Sequence, residues 1–100
     1  MNRRPVRVTD EFYNDLDSYL GAERGPNGEP SAIDFLRLDL LPLIDIIAEG
    51  FDDLPEALPG HPEHRVLITS GRLIPFISIM GMLQSDGSVE LIQLELDLDS

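Results

Sequence analysis

Three apolar runs of strand length fill the last third of the chain, and they constrain the fold more than any other feature. The runs occupy residues 64–70, 73–83 and 89–98. Ser70-Gly71 forms the first junction, and Ser-Asp-Gly-Ser at residues 85–88 forms the second. Asp-Gly supplies the positive-φ position that a tight hairpin needs. The pattern therefore predicts two consecutive hairpins, which make an antiparallel three-stranded meander.

The hydrophobic phase differs between these runs. The second half of the last run alternates apolar residues with Gln93, Glu95 and Asp97, which predicts one core face and one solvent face. In its first half, Val89, Leu91 and Ile92 place apolar residues in both phases, which predicts cover on both sides. The middle run is apolar on both faces almost throughout, as is typical of a central strand. Because Pro75 cannot donate a ladder hydrogen bond, we expect it at a strand start, a bulge or an unpaired edge.

The first part of the chain reads as a strand and a helix. Residues 5–9 alternate in hydrophobicity and predict a short first strand. Thr9 or Asp10 is then expected to cap a helix, because apolar residues recur from Phe12 onward at i, i+4, i+7 and i+8. Two glycines and two prolines within residues 24–30 predict a loop.

A second helix is predicted from Ser31, with Asp34 completing an acidic capping box. Its apolar stripe extends to Phe51 and is unusually wide, so this helix is either buried on more than half of its circumference or also contacts a partner chain. Pro42 lies inside the stripe without changing its phase, which predicts a helix that bends and continues. Residues 51–63 contain three prolines and predict a loop.

The predicted order is strand, helix, helix, strand, strand, strand. It indicates an α+β fold in which two helices pack on a mostly antiparallel four-stranded sheet. The 100 residues, 42% of them hydrophobic, predict one domain spanning residues 1–100. No apolar run reaches the about 18 residues of a membrane span. The N-terminus also lacks the apolar segment of a signal peptide, so we expect a cytoplasmic protein and no membrane partner.

The net charge restricts the classes of partner that this chain can bind. Nineteen acidic residues against seven basic ones, all arginine, give a net charge of −12. Such a chain repels phosphates, so nucleic acid is disfavoured as a partner. The charge serves either solubility or the binding of a basic protein. Disulfides and thiol chemistry are excluded because there is no cysteine.

The sequence offers no convincing catalytic or metal site. His61, Glu63 and His64 form the only cluster with ligand-type side chains, but no further ligand is evident and prolines interrupt the segment. We find no phosphate-binding glycine loop and no nucleophile motif. The sequence therefore predicts no catalytic residues, no metal and no cofactor.

Cations and methionines provide the candidate binding residues. Arg3, Arg4 and Arg7 cluster at the N-terminus, and Arg65 and Arg72 are expected near each other across the first hairpin. These arginines either pair with the abundant carboxylates, which is the favoured interpretation, or form a small cationic patch. Met80 and Met82, together with the wide helix stripe, add apolar surface that either fills the core or forms a groove for a partner or a homodimer.

The whole pattern resembles the RelE/ParE toxin family. The likeness rests on the element order and on local features: the opening VRVTDEFYNDLDSYL, the Gly-Phe-x-x-Leu-Pro segment after the second helix, and HRVLITSGRLIPFISIMG followed by a hairpin into ELIQLELD. Arg65 and Arg72 match positions at which family members often carry arginine. The resemblance implies an antitoxin-like protein partner.

One departure limits what the resemblance implies. Ribonuclease members of the family carry catalytic basic or aromatic side chains on the later strands, whereas this chain has Glu95, Asp97 and Asp99 there. Carboxylates at that position would repel a scissile phosphate, so ribonuclease activity is not implied and the ParE-like branch fits better. A family member that has lost toxicity and a fold-level analogue are equally compatible with this departure.

Three hypotheses follow from the sequence. The first is a non-catalytic protein-binding module that resembles the toxin component of a type II toxin-antitoxin pair, with Arg65, Arg72, Met80 and Met82 binding the partner. The second is an acidic inhibitor or immunity-type protein that binds a basic enzyme. The third is a ribonuclease that uses Arg65 and Arg72.

Overall fold

The computed structural model describes residues 3–98, and it is an α+β fold. Two helices lie on one face of a five-stranded mixed sheet with the order β1-β5-β4-β3-β2. The strands are β1 (Val6–Val8), β2 (Glu56–Leu58), β3 (His61–Thr69), β4 (Phe76–Leu83) and β5 (Val89–Asp97). The first helix is α1 (Asp10–Tyr19). The second, called the long helix, joins α2 (Ala32–Phe35), a π-helical turn (Leu36–Leu40) and α3 (Leu41–Gly50).

The sheet differs from the prediction in two ways. It has five strands because β2 forms inside the segment predicted to be a loop, after a 3₁₀ turn at Phe51–Asp53. Gly60 adopts a φ of 83° there and lets β2 turn back against a β3 that starts at His61. The sheet is also mixed, since β1 pairs in parallel with β5. Two strands from opposite ends of the chain thus close one edge of the sheet.

The meander itself is confirmed. β4 is the central strand, with β3 and β5 antiparallel on either side. Pro75 directly precedes β4, which is the first of the three positions expected for it. Gly87 has a φ of 88°, and the Gln84 N–H donates to the Ser88 carbonyl at 2.8 Å to close the second hairpin.

A β-bulge explains the two-phase start of β5. Met80 pairs with Gln93 but Gly81 pairs with Leu91, so Ile92 is an extra residue in β5. An inserted residue shifts the alternation by one. The core therefore receives Val89 and Leu91 before the bulge and Leu94 and Leu96 after it. The prediction that the start of β5 is covered on both sides is wrong, because its change in hydrophobic alternation results from the backbone bulge.

The helix starts follow the predicted capping chemistry. The Thr9 hydroxyl accepts the Phe12 N–H, and Ser31 and Asp34 form a complete capping box. The long helix continues across Pro42, as predicted. A proline ring collides with the carbonyl four residues earlier, and the wider π turn immediately before α3 relieves that collision.

The core lies between the helices and one face of the sheet. It is built from buried side chains of both helices and of the sheet, among them Phe12, Leu16, Phe35, Ile47, Ile77, Ile79 and Leu91. The other face, called the open face, is covered by no helix of residues 3–98. No helix in this part of the chain is long and apolar enough to cross a membrane.

Candidate functional site

A buried carboxylate joins the long helix to the β3–β4 loop. Asp39 lies in the π turn and is only 3% exposed. Its oxygens accept backbone N–H groups from Arg72 at 2.7 Å, Leu73 at 3.1 Å and Ile74 at 3.2 Å. Charged acceptors make strong hydrogen bonds in such a setting. The loop is therefore held at a fixed position against the helix.

A groove runs along this junction and is called the hairpin groove. It consists of two depressions, of about 290 Å³ and about 460 Å³, that share Leu38 and Arg72 as lining residues. The first is bordered by Pro42, Leu43 and residues 70–72, and the second by Arg24, Asp34 and Leu73. Apolar side chains thus alternate with polar groups along a concave surface, as in many binding sites.

One wall of the groove is a fixed ion pair. The Arg24 guanidinium donates to both carboxylate oxygens of Asp34, at 2.9 and 3.3 Å, and the Ser31 backbone N–H donates to the same carboxylate at 3.0 Å. These bonds hold the pKa of the Asp34 carboxyl well below its usual range, Arg24 contributing most. The bond to Asp34 in turn raises the pKa of Arg24.

Arg72 supplies a free cation in the same groove. Its backbone is held by Asp39, but within residues 3–98 its side chain forms no ion pair or hydrogen bond. The residue is exposed. The predicted binding role of Arg72 therefore has an accessible side chain available to carry it.

The C-terminal half of β3 is an unpaired strand edge that leads into the hairpin groove. β2 pairs with β3 only at His61 and Arg65, and the Val66 N–H donates to the Pro55 carbonyl at 3.0 Å. Two residues further, the Ile68 N–H points in the same direction, because hydrogen-bonding direction alternates along a strand. No strand of the described chain pairs with β3 there. Ile68 is also 61% exposed.

Arg65 lies outside the hairpin groove and links β3 to the segment that precedes β2. Its guanidinium donates to the carbonyls of Leu54 at 2.6 Å and Pro62 at 2.8 Å, and it lies 6.0 Å from the centre of the Phe51 ring. Residues 65 and 69 are four positions apart on β3, about 13 Å at the usual rise, and Arg72 lies in the loop beyond. The structure does not bring the two arginines together, so the ribonuclease hypothesis loses its geometric premise.

Met80 and Met82 lie on the open face, half-buried, and are not part of the core cluster. Met80 pairs with Val66 and Gln93, and Met82 pairs with His64 and Glu90. They occupy the face opposite the helices, while Arg65 faces the helical side across from Gly81. The predicted binding residues thus fall into separate places: Arg72 in the groove, the methionines on the open face and Arg65 at the β2 end.

The N-terminal arginines pair with carboxylates, as predicted. Arg3 contacts Asp45 and Glu49, Arg4 contacts Asp52, and Arg7 contacts Asp86. These pairs tie the start of the chain to the long helix and to the second hairpin. The cationic patch that the sequence offers there is therefore neutralised.

The histidine cluster lies at the start of β3. Glu63 Oε1 lies 3.1 Å from His61 Nδ1 and 3.5 Å from His64 Nδ1. The pKa of Glu63 is lowered, mainly by its own backbone N–H and then by His61. Among the described residues, no group of three or more ligand-type side chains is placed to hold a metal ion. Of the acidic residues at the C-terminus, Glu95 is exposed, and Asp99 lies outside the described residues.

Sequence reasoning missed the two features that define the site, Asp39 and the open edge at Ile68. A signal for Asp39 was present. It stands four residues after Phe35 and four before Leu43, on the core face of an apolar stripe, where a carboxylate needs buried donors. No comparable signal existed for Ile68, because its exposure depends on how far β2 extends.

No protein-family model, no curated protein and no solved structure matches this chain. The resemblance to the RelE/ParE family therefore rests on the residues and the element order.

Proposed function

We propose that this chain is a non-catalytic protein-binding module that accepts an extended segment of a partner protein at the open edge of β3. The observation that carries the proposal is the unpaired backbone around Ile68, which runs into the hairpin groove. An exposed strand edge is a template for another strand unless something protects it. Proline or lysine would protect it, and neither stands at residues 67–69. Among residues 3–98, no strand pairs with this edge of β3 at this point.

Strand addition would use both parts of the site. Main-chain hydrogen bonds to Ile68 would supply affinity, and pockets for alternate side chains would supply specificity. Ser70 lies at the end of the edge and also lines the smaller depression of the groove. A side chain of the added strand can enter that depression, beside Leu38 and Pro42. Arg72 is available there to bind an acidic residue of the partner.

The RelE/ParE resemblance gives this proposal its specific form. In that form the partner is an antitoxin-like segment, and the chain corresponds to the toxin component of a type II toxin-antitoxin pair of the ParE-like branch. Proteins of that branch act by binding a target protein. The absence of a basic catalytic cluster on the later strands agrees with this form.

Two variants at a single position test the proposal. Ile68→Pro removes the outward N–H and blocks a new strand, while Ile68→Ala shortens the side chain and keeps the N–H. Each tagged protein is used as bait in a native lysate, followed by a high-salt wash and mass spectrometry. We expect a small partner to be retained by the wild type and by Ile68→Ala, and to be lost with Ile68→Pro.

Circular dichroism establishes that both variants are folded before the baits are compared. Equal recovery of the partner with Ile68→Pro would refute strand addition. A wild-type bait that is empty even after a low-salt wash would refute the binding module itself.

A second candidate function is favoured by the open face. Glu90 and Glu95 stand on β5 beside Met82 and Ser78, so carboxylates border a half-buried apolar strip. With a net charge of −12, this face would suit an acidic inhibitor or immunity-type protein that binds a basic enzyme. In that case Glu95→Lys, and not Ile68→Pro, abolishes recovery when the bait is washed at low salt. The partner is also lost in the salt wash, because screening weakens such binding.

A further inference from the structure

The exposed side chains on the outer face of the long helix form a pattern that is complementary to the same pattern read in the opposite direction along the helix. Leu41 and Ile46 are 58% and 49% exposed, so the core does not use the full width of the apolar stripe. The exposed residues form two columns with a spacing of four: Arg37, Leu41, Asp45 and Leu38, Pro42, Ile46. Leu41 is at the middle of the first column, with the charged residues Arg37 and Asp45 four positions away on either side. Pro42 is at the middle of the second column, with the apolar residues Leu38 and Ile46 four positions away.

The charges at the two ends of this face are complementary. Within the described chain, Arg37 has no ion pair or hydrogen bond for its guanidinium. At the other end, Asp45 and Glu49 are 62% and 63% exposed and share one cation, Arg3. One end therefore has an unpaired cation and the other an excess carboxylate.

We infer that this face binds a second copy of the chain, with the two long helices antiparallel about a twofold axis near Leu41 and Pro42. In that arrangement Arg37 lies opposite Asp45 of the second copy, and Leu41 packs against its symmetry equivalent. Leu38 lies opposite Ile46 of the second copy. Each contact away from the axis forms twice, as in any isologous interface, which is the commonest kind in homo-oligomers.

The charge pattern points to a second copy as the occupant. Arg37 and Asp45 of one chain are eight helical residues apart, about 12 Å, so they cannot pair with each other. On an antiparallel second copy, the same face places a carboxylate opposite Arg37 and an apolar residue opposite Leu38 and Leu41. The inference requires only this chain. Because Leu38 and Pro42 also line the hairpin groove, a second copy and the proposed partner segment would compete for this surface.

Complementary charge reversals provide the test. Sedimentation equilibrium between micromolar and millimolar concentration should show a monomer–dimer equilibrium for the wild type. Arg37→Glu alone and Asp45→Arg alone each place like charges opposite one another twice, and should raise the dissociation constant at least about tenfold. An equimolar mixture of the two variants restores opposite charges at both contacts and should form a heterodimer as tight as the wild-type dimer.

Glu11→Arg provides the control, since it reverses an exposed charge on α1 and should leave the wild-type equilibrium unchanged. Circular dichroism verifies that each variant is folded. A wild type that stays monomeric over this range overturns the inference. So does a dimer that persists in Arg37→Glu, or a mixture that behaves like the two variants separately.

Discussion

The Asp39 carboxylate occupies the space that a side chain at Gly71 would need. A Cβ added to Gly71 would lie 2.5 Å from Asp39 Oδ2 and 2.7 Å from Ile77 Cδ1. Gly71 thus allows the β3–β4 loop to approach the helix closely enough for three successive N–H groups to reach one carboxylate. The shape of the hairpin groove depends on this contact.

Removal of the Asp39 carboxylate should destabilise the protein. Asp39→Ala leaves loop N–H groups without their acceptor, and we expect the free energy of unfolding to fall by about 2–4 kcal/mol. Urea denaturation measures this change, and hydrogen exchange should accelerate at Arg72, Leu73 and Ile74. Glu49→Ala, on the exposed side of the same helix, is the control and should change stability by less than about 1 kcal/mol. Equal effects of the two substitutions would contradict the anchoring role.

A methyl group at position 71 should be poorly tolerated. Gly71→Ala places a Cβ against the Asp39 carboxylate and should cost about 1–3 kcal/mol of unfolding free energy. Gly50→Ala is the matched substitution, because nothing lies within 4 Å of its added Cβ. Thermal denaturation of the two variants side by side tests the difference. A Gly71→Ala protein as stable as the wild type would show that the loop can move away from the helix.

Arg65 and Arg72 should behave differently when each is truncated. Arg65→Ala removes two hydrogen bonds to carbonyls and the contact with Phe51, so we expect a loss of about 2 kcal/mol of unfolding free energy. Arg72→Ala removes no side-chain hydrogen bond or ion pair to any of residues 3–98 and should stay within about 0.5 kcal/mol of the wild type. Chemical denaturation distinguishes them. The proposed groove function further requires Arg72→Ala, and not Arg65→Ala, to weaken partner recovery when both variants are folded.

The Asp34 carboxyl should titrate well below its ordinary pKa of about 3.9. Because its folded pKa is depressed, its contribution to stability is complete above that value and is lost as the pH falls below it. NMR titration of the Asp34 side chain should show a midpoint that rises in Arg24→Gln and does not move in Arg3→Gln. A wild-type midpoint near 4 would show that the Arg24–Asp34 pair does not persist in solution.

Local chemistry could be read directly from the sequence. The capping box at Ser31, the positive φ at Gly87 and the start of β4 after Pro75 each depend on a few neighbouring residues. Hydrophobic period likewise predicted both helices and the meander. For the candidate site, the sequence predicted a partner-binding role for Arg72, whose side chain is exposed in the structure, but it placed Arg65 beside it.

Contacts between distant segments could not be predicted in the same way. The β2 strand exists because a proline-containing segment meets the start of β3. A carboxylate of α1 supports the region after the bulge, since the Leu94 N–H donates to Asp15 at 2.9 Å. In such a contact, the sequence around one residue does not indicate which distant residue it meets.

The α+β class, the order of the main elements and the hairpin turns follow from sequence alone, because each of them depends on backbone preferences and hydrophobic period within short stretches. The phase change in β5, the parallel pairing of β1, the burial of Asp39 and the open edge of β3 arise from packing between distant segments. Those features depend on which of several competing partners each backbone group meets. That choice is made only when the helices pack on the sheet, since burial without a hydrogen-bond partner costs free energy.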